Sequence, residues 1–246
     1  MPDPIVYAAP SPSDTVAALA QWLSAQAQEA ISDHGVFLLA LSGGSTPRQL
    51  YSYLAQPRLQ KEWDWSRTEI FFSDERDVPP THPDSNFKMA SESLLTHLDP
   101  PPQAVHRWQT EYAPALALAD YRHQLTMGNT ISLPPSLDVV LLGLGPEGHT
   151  ASLFPGQPVL SSDDIVSHVY VPTHQSWRYT FTLPLLNNSR RVAFLVTGGG
   201  KSEIISQIFN THLRVPASLI QPNHGQVHWF LDSASAAQLN SDILQP

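Results

Sequence analysis

A buried strand that ends in a glycine-rich turn constrains the fold of this chain more than any other feature. Residues 137–142 are mostly apolar and partly β-branched, which is typical of a strand buried on both faces of a sheet. Three of the next six residues are glycine, so the backbone can turn sharply and approach a ligand closely. Glu147 and His149 stand at the end of this turn, where open α/β sheets bind their ligands. Since imidazole titrates near neutral pH, we predict that His149 is catalytic; the alternative is a histidine that only forms a hydrogen bond.

A second glycine turn follows another apolar run, residues 36–41. It offers backbone N–H groups and hydroxyls at the start of a predicted helix, where the helix dipole also favours an anion. We predict that a phosphate-binding loop is formed by Ser42, Gly43, Gly44, Ser45 and Thr46. Pro47 suits the first position of the following helix. No lysine follows as in a Walker A loop, and the alternative is a tight turn with a helix cap.

Two cations are candidates to complete this anion site. Lys201 follows three consecutive glycines after a predicted strand, and Arg178 precedes another strand. Either residue alone is more often a surface residue, so their assignment depends on the loop.

A charged triplet follows the strand predicted over residues 68–72. Asp74, Glu75 and Arg76 lie past the carboxyl end of that strand, on the same side of a parallel sheet as the two glycine turns. We predict that Asp74 and Arg76 belong to the site. A solvated polar turn is the alternative interpretation.

Composition excludes several classes of function. The formal charge is −9, without a basic run that would follow a nucleic-acid backbone. The longest apolar runs are much shorter than the roughly 20 residues of a membrane span, and the first residues lack the pattern of a signal peptide. The chain has no cysteine and no metal-ligand spacing such as His-Glu-x-x-His, so we predict no metal. These features predict a cytoplasmic enzyme or binding protein without a nucleic-acid or membrane partner. They do not determine the oligomeric state, for which we favour a monomer.

The order of elements predicts an α/β fold. Strands alternate with helices through short turns, which indicates a Rossmann-like, mainly parallel sheet with helices on both faces. We predict one domain over residues 1–246, with a small excursion at the proline-rich connector 99–114 and the helix after it.

The chain resembles the 6-phosphogluconolactonases, within the larger group that also holds glucosamine-6-phosphate deaminases and ribose-5-phosphate isomerases. The resemblance covers nearly the whole length and rests on five segments in the family's order. These are residues 41–47, 74–76 with 84–86, 143–155, 190–201, and 216–218 with 228–230. The family usually has aspartate where this chain has Glu147, a change that keeps the charge and lengthens the side chain.

The resemblance implies hydrolysis of 6-phospho-D-glucono-1,5-lactone to 6-phosphogluconate, the second step of the oxidative pentose phosphate pathway, without a cofactor. His149 would be the general base, oriented or polarised by Glu147 or Asp74. Either Arg76 or a backbone N–H group of residues 145–148 would stabilise the oxyanion. The loop of residues 42–46, with Arg178 and Lys201, would hold the phosphate.

Two other functions are weighed against this one. A hexosamine-6-phosphate deaminase or isomerase resembles the chain at the Gly-His turn, but those enzymes follow it with Asn-Glu-Pro where this chain has Leu153-Phe154-Pro155. They also tend to carry Asp-Glu-Tyr where this chain has residues 74–76. A non-catalytic sugar-phosphate sensor would keep the phosphate loop without the base. The intact turn at His149 argues against a sensor.

Overall fold

The computed structural model describes residues 3–127, 135–240 and 243. The strands, in chain order, are β1 (Ile5–Ala9), β2 (Phe37–Leu41), β3 (Thr68–Phe72), β4 (Asp74–Arg76), β5 (Ala104–Val105), β6 (Val139–Leu142), β7 (Val166–Val171), β8 (Ser176–Phe181), β9 (Arg191–Val196) and β10 (Gln226–Asp232). The helices are α1 (Pro12–His34), α2 (Ser45–Leu54), α3 (Asn86–Ser93), α4 (Pro114–Met127), α5 (Leu183–Leu186) and α6 (Ser202–Asn210).

Seven strands form one parallel sheet in the order β1-β10-β9-β6-β2-β3-β5. All residues of β2 and β6 are buried, which requires cover on both faces of the sheet. The predicted mainly parallel α/β fold is therefore confirmed. The chain runs from β2 to β3 on one side and continues from β6 to β9 on the other, so the strand order reverses between β2 and β6. Ligands of open α/β sheets bind beyond the carboxyl ends of the strands at such a switch point.

A second, smaller sheet lies beside the first and was not predicted. Strands β4, β8 and β7 pair antiparallel in that order. The charged triplet 74–76 is thus a strand rather than a solvated turn, because it pairs with residues 178–180 of β8. The part of the chain that departs from the main sheet is therefore this small sheet, and not the connector 99–114 where an excursion was predicted. The connector 99–114 instead supplies β5 to the edge of the main sheet.

The helix boundaries follow capping rules. Helix α1 begins after Ser11, whose hydroxyl accepts a hydrogen bond from the Asp14 N–H at 3.2 Å, and ends at Gly35, which has a φ of 90°. Helix α2 begins at Ser45, so Pro47 is its third residue rather than its first. None of the helices among the described residues is both long and apolar enough to cross a membrane.

One buried histidine makes the fold sensitive to acid. The ring of His228 on β10 lies 4.6 Å from the Trp22 ring and is stacked 6.0 Å from the Tyr7 ring. Its Nδ1 atom is buried without a hydrogen-bond partner. Burial, with a smaller effect of the nearby Arg191, lowers the pKa of His228 from 6.5 to about 4.

We expect His228 to cost the protein stability as the pH falls. Above pH 6.5 the imidazole is neutral in both the folded and the unfolded state. Between pH 6.5 and about 4, only the unfolded state takes up the proton, so the free energy of unfolding decreases across this window. Urea unfolding of His228→Phe, which cannot titrate, should show a weaker decrease between pH 7 and pH 5 than wild type. The exposed His224→Gln serves as the control and should behave like wild type.

Candidate active site

The turn after β6 is shaped to present His149. The Gly145 N–H donates to the His149 carbonyl oxygen at 2.8 Å, and the Gly148 N–H donates to the Gly145 carbonyl oxygen at 3.1 Å. Gly148 has a φ of 81°, and a Cβ atom there would lie 2.6 Å from the side chain of Val215. Both the conformation and the space therefore require glycine at this position.

The imidazole of His149 is held between two neighbours. One face stacks on the Phe154 ring, with ring centroids 4.1 Å apart. The other side meets Gly145, where a Cβ atom would lie only 2.0 Å from Nδ1 of His149. The side chain is 19% exposed. The ring thus has a fixed position while it remains accessible from the pocket.

Glu147 is the carboxylate at Nδ1 of His149. Its Oε1 atom lies 3.1 Å from that nitrogen without the alignment of a hydrogen bond, so the contact becomes an ion pair only when the imidazole is protonated. Burial raises the pKa of Glu147, but its backbone hydrogen bond and the attraction of His149 outweigh burial and lower the pKa overall. Glu147 is therefore a carboxylate at neutral pH, and Nε2 is the ring nitrogen left for chemistry.

Burial keeps His149 neutral near pH 7. Burial lowers the pKa of His149 below 6.5, against the opposing attractions of Glu147 and Asp74, and the nearby Arg178 lowers it further. An uncharged imidazole with Nε2 unprotonated can accept a proton from water.

Strand alternation in the small sheet selects which charged residues reach the pocket. Asp74 pairs with Thr180, and Arg76 pairs with Arg178, so these four residues share one face. Glu75 points to the opposite face. The two arginines are direct cross-strand neighbours, which concentrates positive charge beside His149.

Asp74 is buried and fixed through both carboxylate oxygens. Oδ1 accepts a hydrogen bond from Asn86 Nδ2 at 3.1 Å, and Oδ2 accepts one from Ser152 Oγ at 2.9 Å. Asp74 forms no hydrogen bond with His149 among the described contacts and acts on it through charge. Of the two carboxylates, Glu147 rather than Asp74 is therefore the one that contacts the imidazole.

Glu75 has a structural position that the sequence pattern did not indicate. Its buried carboxylate accepts hydrogen bonds from the N–H groups of Asn86 and Phe87, at 2.7 and 2.8 Å, at the beginning of α3. Burial raises the pKa of Glu75, while these hydrogen bonds act to lower it. A carboxylate at a helix N-terminus stabilises that helix, so Glu75 ties α3 to β4.

The predicted phosphate loop lines the same pocket as His149. Helix α2 has no side-chain cap, and Gly44 before it has a φ of 111°. The first N–H groups of a helix lack intrahelical acceptors, so those of Ser45 and Thr46 can bind an anion. The Ser42 N–H is engaged differently, because it donates to the Tyr51 hydroxyl at 2.9 Å.

These elements enclose one pocket of about 290 Å³ at the switch point between β2 and β6. It is lined by residues 42–47, 74, 76, 86, 143–146, 149, 151, 178, 195–197 and 201. All predicted site residues except Glu147 therefore line it, and Glu147 reaches it only through His149. Asn86 and Thr197 also line it, although neither was assigned a role from the sequence. Asn86 stood within the quoted segment 84–86, whereas Thr197 carried no signal beyond its place at the end of a strand.

A family model described as glucosamine-6-phosphate isomerases/6-phosphogluconolactonase matches residues 10–229. The chain belongs to this family. A 6-phosphogluconolactonase of Nostoc sp. is 40% identical over 219 residues, which are 86% of this chain and 88% of the relative.

Solved structures of family members share the fold. The 6-phosphogluconolactonase of Trypanosoma brucei superposes with a TM-score of 0.83 at 27% identity, covering 97% of this chain and 99% of that one. A monomeric glucosamine-6-phosphate deaminase reaches a TM-score of 0.76 at 17% identity, covering 95% of this chain and 99% of that one. At 17% identity, the likeness to the deaminase shows the fold alone. The residues of the site therefore have to distinguish lactone hydrolysis from deamination.

Proposed function

We propose that this protein hydrolyses 6-phospho-D-glucono-1,5-lactone to 6-phospho-D-gluconate, the second step of the oxidative pentose phosphate pathway. The observation that carries the proposal is a neutral histidine that lines the same small pocket as an uncapped helix N-terminus and a lysine. The first group suits proton abstraction from water, and the second suits a phosphate. The 40% identity to a 6-phosphogluconolactonase supports the same reaction.

In the proposed mechanism, Nε2 of His149 takes a proton from a water molecule while the water oxygen bonds to the lactone carbonyl carbon. The carbonyl oxygen becomes an oxyanion. Collapse of the tetrahedral intermediate breaks the bond to the ring oxygen, which takes the proton back from the imidazolium. The carboxylic acid product then releases its own proton to solvent. Asp74 and Glu147 both favour the charged form of His149, so they stabilise the imidazolium between the two steps.

The geometry of the turn favours Arg76 over the backbone N–H groups of residues 145–148 as the oxyanion donor. The N–H groups of Gly145 and Gly148 already donate within the turn, that of Glu147 donates to its own carboxylate, and Pro146 has none. Arg76 lies in the pocket wall, and its Nη1 atom donates to the Asp84 carbonyl oxygen at 2.5 Å. We assign the oxyanion to Arg76, whose fixed guanidinium provides the preorganised donor that such an intermediate requires.

The phosphate is assigned to the loop of residues 42–46, with Lys201 and Arg178 as cations. Burial lowers the pKa of Lys201, but the attraction of Glu147 opposes this effect. The Arg178 guanidinium lies 5.8 Å from the centre of the Phe154 ring and lines the same pocket as the loop and the base. Binding energy at the phosphate would hold the lactone carbon against the water. A cytoplasmic location would suit an enzyme whose substrate is a phosphorylated sugar. The cytoplasmic location and the monomeric state stay predictions.

We expect Lys201→Ala to raise the KM for the lactone about tenfold and to change kcat less. The lysine contributes a charge-assisted contact to a phosphate that does not react, so its loss weakens ground-state and transition-state binding alike. Steady-state kinetics measure the two constants. The exposed Lys61→Ala is the matched control, and a fall in kcat without a rise in KM for Lys201→Ala would contradict the assignment.

We expect kcat/KM to fall on the acid side of neutrality. The free base of His149 is required, and burial lowers its pKa below 6.5, so half of the activity should be lost only below pH 6.5. Initial rates from pH 5 to pH 8, corrected for spontaneous hydrolysis, measure this profile. A half-point above pH 7 would argue against His149 as the titrating group.

The competing function is a hexosamine-6-phosphate deaminase. At the position where the deaminases carry a glutamate, this chain has Phe154, whose ring packs on His149 and has no proton to exchange. The two functions are separated by parallel assays of acid release from the lactone and ammonia release from glucosamine 6-phosphate. We expect the first to be accelerated and the second to be absent. Ammonia release without accelerated lactone hydrolysis would reverse the assignment.

A further inference from the structure

The amide of Asn86 contacts both walls of the pocket. Its Nδ2 atom donates to the main-chain oxygen of Asp74 at 3.0 Å and to the Asp74 carboxylate at 3.1 Å. Both partners are acceptors, which determines the orientation of the amide. Asn86 is 2% exposed, so these hydrogen bonds are shielded from water.

The same amide lies against the phosphate loop. A Cβ atom on Gly43 would lie 2.0 Å from Oδ1 and 2.6 Å from Nδ2 of Asn86. Gly43 is not among the glycines with positive φ, so the contact with Asn86, rather than the backbone conformation, excludes a side chain there. The loop therefore packs directly on the group that orients Asp74.

The position of Asn86 does not depend on its own side chain. Its backbone N–H donates to Glu75 Oε1 at 2.7 Å, and Ser85 Oγ donates to Glu75 Oε2 at 3.0 Å. The first turn of α3 is thereby attached to β4. Removing the amide of Asn86 leaves these contacts in place, so the variant is expected to fold.

We propose that Asn86 is a positioning residue that couples the phosphate loop at Gly43 to the carboxylate of Asp74. The proposal deepens the proposed function and rests on it for the identity of the site. The loop packs on the Asn86 amide, and the amide holds Asp74 in the orientation that supports the charged form of His149, so that a phosphate bound to the loop reinforces this arrangement. Loss of the amide leaves a gap beside Gly43 and releases Oδ1 of Asp74.

Ser152 provides a matched comparison. Its hydroxyl donates to the other oxygen of Asp74 at 2.9 Å, and its backbone N–H donates to Thr180 Oγ1 at 3.1 Å. Ser152 does not line the pocket. Ser152→Ala therefore loosens Asp74 without changing the phosphate loop, whereas Asn86→Ala changes both.

The test uses two measurements on the free protein, so that it does not depend on lactonase activity. Calorimetry gives the Kd of inorganic phosphate, and NMR titration of the imidazole gives the pKa of His149. The charged or titratable groups around that ring are Glu147 on its own turn, Asp74 on β4, and Arg178 and His174 on the β7–β8 hairpin. Of these four groups, only Asp74 forms hydrogen bonds with Asn86.

For Asn86→Ala, we expect the phosphate Kd to rise about tenfold, equivalent to about 1.4 kcal/mol, and the pKa of His149 to fall. Ser152→Ala should lower the pKa of His149 and leave the phosphate Kd within twofold of wild type. Folded Asn86→Ala with either quantity unchanged would overturn the proposal. Absence of lactone hydrolysis in wild type would instead overturn the proposed function, while these two measurements remain interpretable.

A double variant tests the contact itself. Gly43→Ala alone should weaken phosphate binding, because the new methyl group collides with the Asn86 amide. In the Asn86→Ala background the space is open, so adding Gly43→Ala should have little further effect on the phosphate Kd. Additive effects of the two substitutions would show that they act independently and would overturn the coupling.

Discussion

Replacing His149 with alanine is expected to lower kcat for lactone hydrolysis by about 10²- to 10⁴-fold, the usual contribution of a general base. The substitution removes the only group in the pocket that we assign to proton abstraction. KM should change much less, since the proposed phosphate contacts come from residues 42–46, Arg178 and Lys201 rather than from His149. Steady-state rates of acid release, corrected for spontaneous hydrolysis, measure both constants.

A second histidine near the site is the control for this variant. The His174 ring lies 6.4 Å from the His149 ring and 5.5 Å from the Phe154 ring, but it is exposed and does not line the pocket. His174→Ala should stay within a few-fold of wild type. Equal losses in the two variants would show that the effect comes from disturbing this region rather than from removing the base.

Replacing Gly145 with alanine is expected to lower kcat about 10²-fold although no catalytic group is removed. The new Cβ would lie 2.0 Å from Nδ1 and 2.2 Å from Cε1 of His149. The ring stacks on Phe154 on its other face, so it must leave its position. A displacement of about 1 Å from the productive geometry costs about this much in rate. The kcat for lactone hydrolysis measures the effect.

Gly200→Ala is the matched control for Gly145→Ala. Gly200 is exposed, lies outside the pocket lining, and has no atom within 4 Å of its ideal Cβ position. Its substitution should leave kcat and the unfolding midpoint unchanged. Wild-type kcat in folded Gly145→Ala would mean that the position of His149 is not fixed by this contact.

The main sheet was predictable because its signals are local. Continuous apolar runs such as residues 36–41 and 139–142 have the pattern of buried parallel strands, and the glycine turns mark their carboxyl ends. Since those ends meet at one edge of a parallel sheet, the grouping of Ser42, Asp74 and His149 in one pocket could also be predicted.

The small sheet was not predictable because it depends on pairing between distant segments. Residues 74–76 have the polar composition of a turn and become a strand only by pairing with β8, about a hundred positions later. That pairing turns Glu75 away from the pocket and brings Arg178 beside Arg76. The roles of Asn86 and Ser152 were hidden for the same reason, because only the folded chain places them on Asp74.

The most direct test of the central claim is the rate of acid release from freshly generated 6-phospho-D-glucono-1,5-lactone at neutral pH. It compares wild type, His149→Ala and a reaction without enzyme. We predict that wild type accelerates hydrolysis over the spontaneous rate and that His149→Ala loses at least about 10²-fold of this acceleration. A wild-type rate equal to the spontaneous rate, or an undiminished rate in His149→Ala, would contradict the account.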